Sequence, residues 1–299
     1  MFDKKHVSLG IAPIGWCNDD MPELGAENTF RQIVSEMALA GFTGCEIGNK
    51  YPSDPQELKK ELDLRGMRIA SRWFSSFLIT KSLAENEDAF KKELDFLSAV
   101  GADRINVSEQ SYSIQGKTDV PVLDDKKHIM NEDEWKLLAE GLDHLGKIAA
   151  DRGFKLCFHH HMGTVVQTAA ETDKLMQMTD PSYVFLCYDT GHFTFAGEDP
   201  LLMLEKYADR VGHVHLKDMR LSIVEQVRKD HMSFLDAVRN GSLTVPGDGD
   251  VEFGPIFSLL SKAGYKGWLL VEAEQDPAKA NPLEYAIKAR KYIAEQTGL

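Results

Sequence analysis

The sequence is poor in cysteine and has none in pairs. Cys17, Cys45, Cys157 and Cys187 stand apart with no CxxC spacing, a pattern that suits reduced thiols packed as small core residues in a cytoplasm. Long apolar runs are missing as well. None approaches the about 18 residues of a membrane span, and MFDKKHVSLG has no apolar stretch of the signal-peptide type. Cations are outnumbered: 34 Lys and Arg face 47 Asp and Glu, a net charge of −13 over 299 residues. That balance argues against nucleic acid or an anionic membrane as a partner, since both are bound through basic surface. No Pro/Gly/Ser-rich linker divides the chain, and no GxGxxG follows the first strand-like run. VPGDGD (245–250) lacks the Walker spacing and its Lys-Ser/Thr, so it reads as a turn shaping a rim, and a phosphorylated substrate is not favoured.

What remains is an alternation. Short β-rich runs stand at 7–15, 43–48, 68–74, 104–108, 155–161, 184–190, 211–218 and 268–274. Helical signatures lie between them. Asn131 precedes a stripe of Trp135, Leu138, Leu142, Leu145 and Ile148 that ends before Gly153. Thr168 and Glu171 have capping-box spacing, and Pro282 suits a first helical turn. Eight strands, each followed by a helix or long loop, predict an α/β fold: residues 1–299 as a single (β/α)8 TIM barrel. Two connections are swollen, at about 109–130 after strand four and 219–252 after strand seven. Both fall on the face where barrel active sites sit. The second contains IVEQVRKDHMSFLDAVRNG, expected to form one extra helix.

Side chains alternate along a strand. His159 and His161 therefore share a face of strand five, with His160 on the other. Asp189 ends strand six and His192 follows it. His213, His215 and Lys217 share a face of strand seven, and Glu272 and Glu274 share one of strand eight. Strand ends converge on one rim of a barrel. Buried charged groups need partners, and a divalent metal would satisfy this set together. Imidazole with carboxylate suits Mn, Co, Fe or Zn better than Ca or Mg. The ligand set read here is His159, Asp189, His215 and Glu272, with His161 and Glu274 as alternatives. His160 is expected to face a helix, and His213 to be core or to support a ligand. His6, His128, His144 and His231 are expected at the surface. Glu109 remains ligand, base or loop cap.

These residues sit in longer stretches: GIAPIGWCNDD (10–20), RWFSS (72–76), VSEQSYSIQG (107–116), HHHMGT (159–164), YDTGH (188–192), HVHLKDMR (213–220), TVPGDGD (244–250) and VEAEQDPAKANPLEYA (271–286). Together they resemble the xylose-isomerase-like barrels, and among them the members that dehydrate cyclic polyols. The resemblance implies a metal held by residues of strands five to eight. His159 stands where the family usually has Glu, so an anionic ligand becomes neutral. It also implies a lyase acting on a small cyclic polyol ketone with Mn or Co. In such an elimination the metal polarises the ketone, a base removes the α-proton and an acid protonates the departing hydroxyl. Lys217, Glu109, His192 and His161 are the candidate base and acid, with Glu46 also considered. A metal beside Lys217 would favour its neutral form, whereas the plainer alternative is a salt bridge at the rim. Glu46, Trp16, Trp73, Gln110 and Arg220 are candidate substrate contacts. A thiol cofactor such as glutathione and a homo-oligomer stay open. The rivals are a metal-dependent keto-sugar isomerase or epimerase, an apurinic endonuclease, and a barrel that binds without turnover.

Overall fold

The computed structural model describes residues 2–299. The strands are β1 (Val7–Ile11), β2 (Gly44–Glu46), β3 (Arg68–Ser71), β4 (Trp73–Ser76), β5 (Arg104–Glu109), β6 (Lys155–His159), β7 (Val184–Asp189), β8 (Val211–Leu216), β9 (Asp218–Met219), β10 (Leu243–Thr244) and β11 (Gly267–Val271). One parallel sheet runs β3-β2-β1-β11-β8-β7-β6-β5-β4. Its two end members, β3 and β4, are successive in the chain and separated by Arg72 alone. They are one interrupted strand, and they close the sheet into an eight-stranded barrel. The Asn106 N–H donates to the Arg72 carbonyl at 2.9 Å across the break. With helices on the outside of the closed parallel sheet, the fold is the expected (β/α)8 TIM barrel.

Local chemistry sets the helix starts. Asn131 with Glu134, and Thr168 with Glu171, form reciprocal capping boxes for Glu132–Asp151 and Ala169–Met178. Pro282 opens Pro282–Thr297 behind the Asn281 cap. Apolar residues of these helices and the outward faces of the strands form the main core.

Three expectations need correction. Strands five and eight stop at His159 and Val271, so His161, Glu272 and Glu274 lie just past strand ends. Strand three is broken at Arg72 rather than continuous. The run expected to be one helix forms two, Leu221–Lys229 and Phe234–Arg239. His231 between them has a left-handed φ of 51°, and the Ser233 hydroxyl accepts the Asp236 N–H at 3.1 Å, restarting the helix. β9 and β10 pair antiparallel beside these helices. Met219, Phe234, Leu235 and Val238 of this insertion join Met21, Val122, Met162 and Phe195 in a second apolar cluster. Segments from five parts of the chain are thereby tied together.

Candidate metal and active site

Four donors meet at the C-terminal ends of consecutive barrel strands. His159 closes β6, Asp189 closes β7, His215 lies in β8 and Glu272 follows β11. One donor atom from each lies within 4.8 Å of all the others. His159 Nε2 is 3.1 Å from His215 Nδ1 and 3.3 Å from Asp189 Oδ2. His215 Nδ1 is 3.5 Å from Asp189 Oδ2 and 2.7 Å from Glu272 Oε2. Donors at about 2.1 Å from a tetrahedral ion stand about 3.4 Å apart, close to these spacings. Asp189 Oδ2 and Glu272 Oε2 are buried and accept no hydrogen bond, with the Lys217 ammonium nearby at 3.6 and 3.2 Å; a metal ion among the four donors would complete them. Asp189 is held in place because its Oδ1 accepts the His192 N–H at 2.8 Å, capping helix Thr190–Phe195.

Glu46 supports this set from β2. Its Oε1 lies 3.0 Å from His215 Nε2 and 3.1 Å from His213 Nε2. It also accepts Asn106 Nδ2 at 2.7 Å and the Ser71 hydroxyl. Burial alone would raise the Glu46 carboxyl, but His215 and His213 outweigh it and hold it well below its ordinary value. A carboxylate on the far nitrogen of a metal-facing imidazole fixes the ring and its tautomer. Expected as a substrate contact, Glu46 instead commits Oε1 to the protein, although the residue still borders the cavity.

Beside the four donors lies a second group. The fully buried Lys217 ammonium is 3.1 Å from Glu274 Oε1, 3.2 Å from Glu272 Oε2, 3.6 Å from Asp189 Oδ2 and 2.9 Å from His192 Nε2. Burial opposes the charge on Lys217, but the three carboxylates more than reverse this and favour the ammonium. Without a metal these carboxylates make Lys217 the cation of the site and disfavour the neutral shuttle considered for it. Burial pushes Glu274 up to about 7, Glu272 adds to the rise and Lys217 opposes it. His161 Nδ1 faces the Met162 carbonyl at 2.8 Å, leaving Nε2 toward Glu274 Oε1 at 3.9 Å. Burial holds His161 and His192 well below the usual histidine range. His160 points the other way, its ring stacked 3.7 Å from that of Phe193.

A cavity of about 300 Å³ opens over this floor. Glu46, Trp73, His161, Glu272 and Glu274 border it, with Asp19, Asp20, Asn49, Arg72, Ser75 and Gln115. Trp73 stands edge-on to His159 and His161, at 5.3 and 5.7 Å between ring centres. Four sequence candidates lie elsewhere. Trp16 is 1% exposed and spends its indole N–H on Glu36 at 2.6 Å, so it is core. Glu109 accepts the Ser76 hydroxyl at 2.7 Å and the N–H groups of Leu78 and Ser111 at 3.0 and 3.2 Å; it caps loops instead of serving as base. Arg220 is bound to Asp248 at 2.5 Å, Thr244 at 3.1 Å and the Gly241 carbonyl at 2.6 Å, locking the insertion. Gln110 donates to Ser108 at 3.2 Å and does not border the cavity. Sequence reasoning overlooked Asp19, Asp20 and Gln115. Their signal was the paired acids of GWCNDD and the Gln of SYSIQG.

The turn at VPGDGD has a single organiser. The Asp218 carboxylate accepts the N–H groups of Met219 at 2.8 Å, Gly247 and Gly249 at 3.0 Å, and Val251 at 2.9 Å. A Cβ at Gly249 would fall 2.5 Å from the Asp218 carboxylate, so the close approach requires glycine.

The family model of the xylose isomerase-like TIM barrels matches residues 34–296. An inosose dehydratase of Clostridium beijerinckii is 60% identical over 298 residues, covering 100% of both chains. One from Clostridium perfringens is 61% identical over 294 residues, 98% of this chain and 99% of that one. Among solved structures, the IOLI protein with a bound zinc atom superposes with a TM-score of 0.71 at 14% identity, covering 97% of this chain and 98% of that one.

Proposed function

Because the chain belongs to the xylose isomerase-like TIM barrels and, within them, to the inosose dehydratases, we propose that His159, Asp189, His215 and Glu272 hold one divalent metal and that Glu274 handles the reaction's protons. The activity is that of a hydro-lyase removing water from inosose, in inositol catabolism. We take the substrate as 2-keto-myo-inositol (scyllo-inosose) and the product as 3D-(3,5/4)-trihydroxycyclohexane-1,2-dione. Two imidazoles with two carboxylates favour Mn, Co, Fe or Zn over Mg or Ca, and the resemblance to the cyclic-polyol dehydratases implies Mn or Co among them.

Held by these donors, a divalent ion supplies Lewis acidity toward the ketone oxygen. The chain's own residues supply the rest. Glu274 takes the proton α to the ketone, and the C–H electron pair passes into the ring. The bond to the β-hydroxyl then breaks, that oxygen leaves with the proton as water, and the enol left behind ketonises, its O–H proton passing to the former β-carbon, to give the dione. A base whose pKa lies near neutrality is poised for such a transfer. Lys217 fixes the Glu272 and Glu274 carboxylates, His192 accepts from Lys217, and His161 borders the ring beside Glu274. Trp73 provides an apolar wall.

The observation that carries this reading is the one cavity bordered both by Glu274, whose Oε2 has no hydrogen-bond partner, and by Glu272 of the donor set. The four cysteines are free and buried, in keeping with a reducing cytoplasm. Among the described residues no helix is long and apolar enough to cross a membrane. The test is turnover of inosose by chelator-stripped protein with Mn, Co, Zn, Fe and Mg restored separately. Dione released only after metal return supports the proposal. Dione released at full rate from stripped protein refutes the metal's role, and metal binding without dione redirects the search to keto-sugar isomerisation.

A further inference from the structure

The loop after β1 carries GWCNDD (15–20), and the metal centre with its supporting residues leaves its two aspartates unused. Asp19 and Asp20 both border the cavity. The turn that presents them is fixed: the buried Asn18 Oδ1 accepts the N–H groups of Asp20 and Met21, each at 2.9 Å. Met21 is 1% exposed and seated among Val122, Met162 and Phe234. Asp19 Oδ1 accepts the Asn49 N–H at 3.2 Å, and Asp20 Oδ2 accepts Gln115 Nε2 at 2.7 Å.

Among the described residues no cation answers this pair. Arg72 borders the cavity but is ion-paired with Glu93 at 2.8 Å. Burial pushes Asp19 up to about 6 and raises Asp20 too. Taking two neighbouring carboxylates out of water with so few donors is unfavourable by itself. Independently, Glu274 is 2% exposed, borders the same cavity and has an Oε2 with no partner. Ionised carboxylates only accept hydrogen bonds. The cavity wall thus offers acceptors and suits an uncharged ligand rich in O–H donors, while repelling phosphate or carboxylate groups.

We propose that Asp19 and Asp20 are substrate-specificity residues, each accepting a ring hydroxyl that takes no part in the elimination; the assignment rests on the polyol-ketone reading above. Kinetics of metal-loaded wild type, D19N and D20N with inosose and with its mono-deoxy analogues test it. Each variant should raise KM about tenfold, since the charged acceptor becomes a neutral amide whose one remaining acceptor oxygen holds the hydroxyl more weakly, with kcat within about twofold. Metal content should match the wild type, and the melting temperature should not fall, because a buried charge is removed. The deoxy analogue lacking the matching hydroxyl should be disfavoured about tenfold by wild type and not by the variant, a pattern that general loosening of the loop cannot produce. Unchanged KM in both folded variants, or a wild type indifferent to every deoxy analogue, overturns the assignment. Should a variant fail to fold, the wild-type deoxy series decides alone. A metal-loaded wild type that does not dehydrate inosose refutes the underlying reading instead, and the assignment falls with it.

Discussion

Replacing Lys217 by Met tests the charge balance of the site directly. The ammonium is fully buried, with three carboxylates from two segments of the barrel rim within 3.6 Å. Met keeps most of the side-chain volume, so the change removes charge more than packing. Removing one partner of a buried ionic group strands the other, at a cost of about 3–5 kcal/mol. At about 2 °C per kcal/mol, the low end suited to a chain of this length, chelator-treated K217M should melt roughly 6–10 °C below chelator-treated wild type. Part of that loss is repulsion felt by Glu274. In a K217M/E274Q double mutant the neutral amide removes it, and the two losses should fall short of additivity by about 1 kcal/mol or more. Metal should also stabilise K217M more than wild type, because the ion then faces carboxylates with no other cation. Urea or thermal unfolding with chelator and with Mn measures all three quantities. Equal stability of K217M and wild type in chelator, together with full additivity, would refute the view of Lys217 as the site's counter-ion.

E274Q should retain metal and lose about 10²–10⁴-fold in kcat, the worth of a positioned base. The base works ionised and its pKa is raised to about 7, so wild-type kcat/KM should climb with pH through about 7; E274Q should lack that limb. E46Q should weaken metal binding about 10–100-fold in a chelator competition, because His215 loses the carboxylate that orients it. H159A should lose metal while remaining folded. H160A should keep metal and melt lower, since its ring fills the contact with Phe193. Metal lost from H160A but kept by H159A would overturn the orientation of the histidine triplet.

Much of this molecule is legible along the chain, because the relevant physics is local. Strand and helix alternate with periods set by backbone geometry, and caps such as Asn131 with Glu134 act within three residues. Strand parity, with the shared direction of the strands, carries His159, Asp189 and His215 to one rim. Parity fails where strands stop. Glu272 and Glu274 lie beyond β11, as does His161 beyond β6, so only the three-dimensional course of those segments gathers Glu272 with His159, Asp189 and His215, and Glu274 with His161 and His192. Other roles depend on partners distant in sequence. Trp16 turns to Glu36, Glu109 to the loops after β4 and β5, and Arg220 to Asp248. Lys217 has the chemistry of a shuttle, but Asp189, Glu272 and Glu274 surround it and, without a metal, make it the cation of the site. A residue type fixes which bonds a side chain can make; the choice among them depends on which groups folding brings within about 3 Å, and those contacts are long-range.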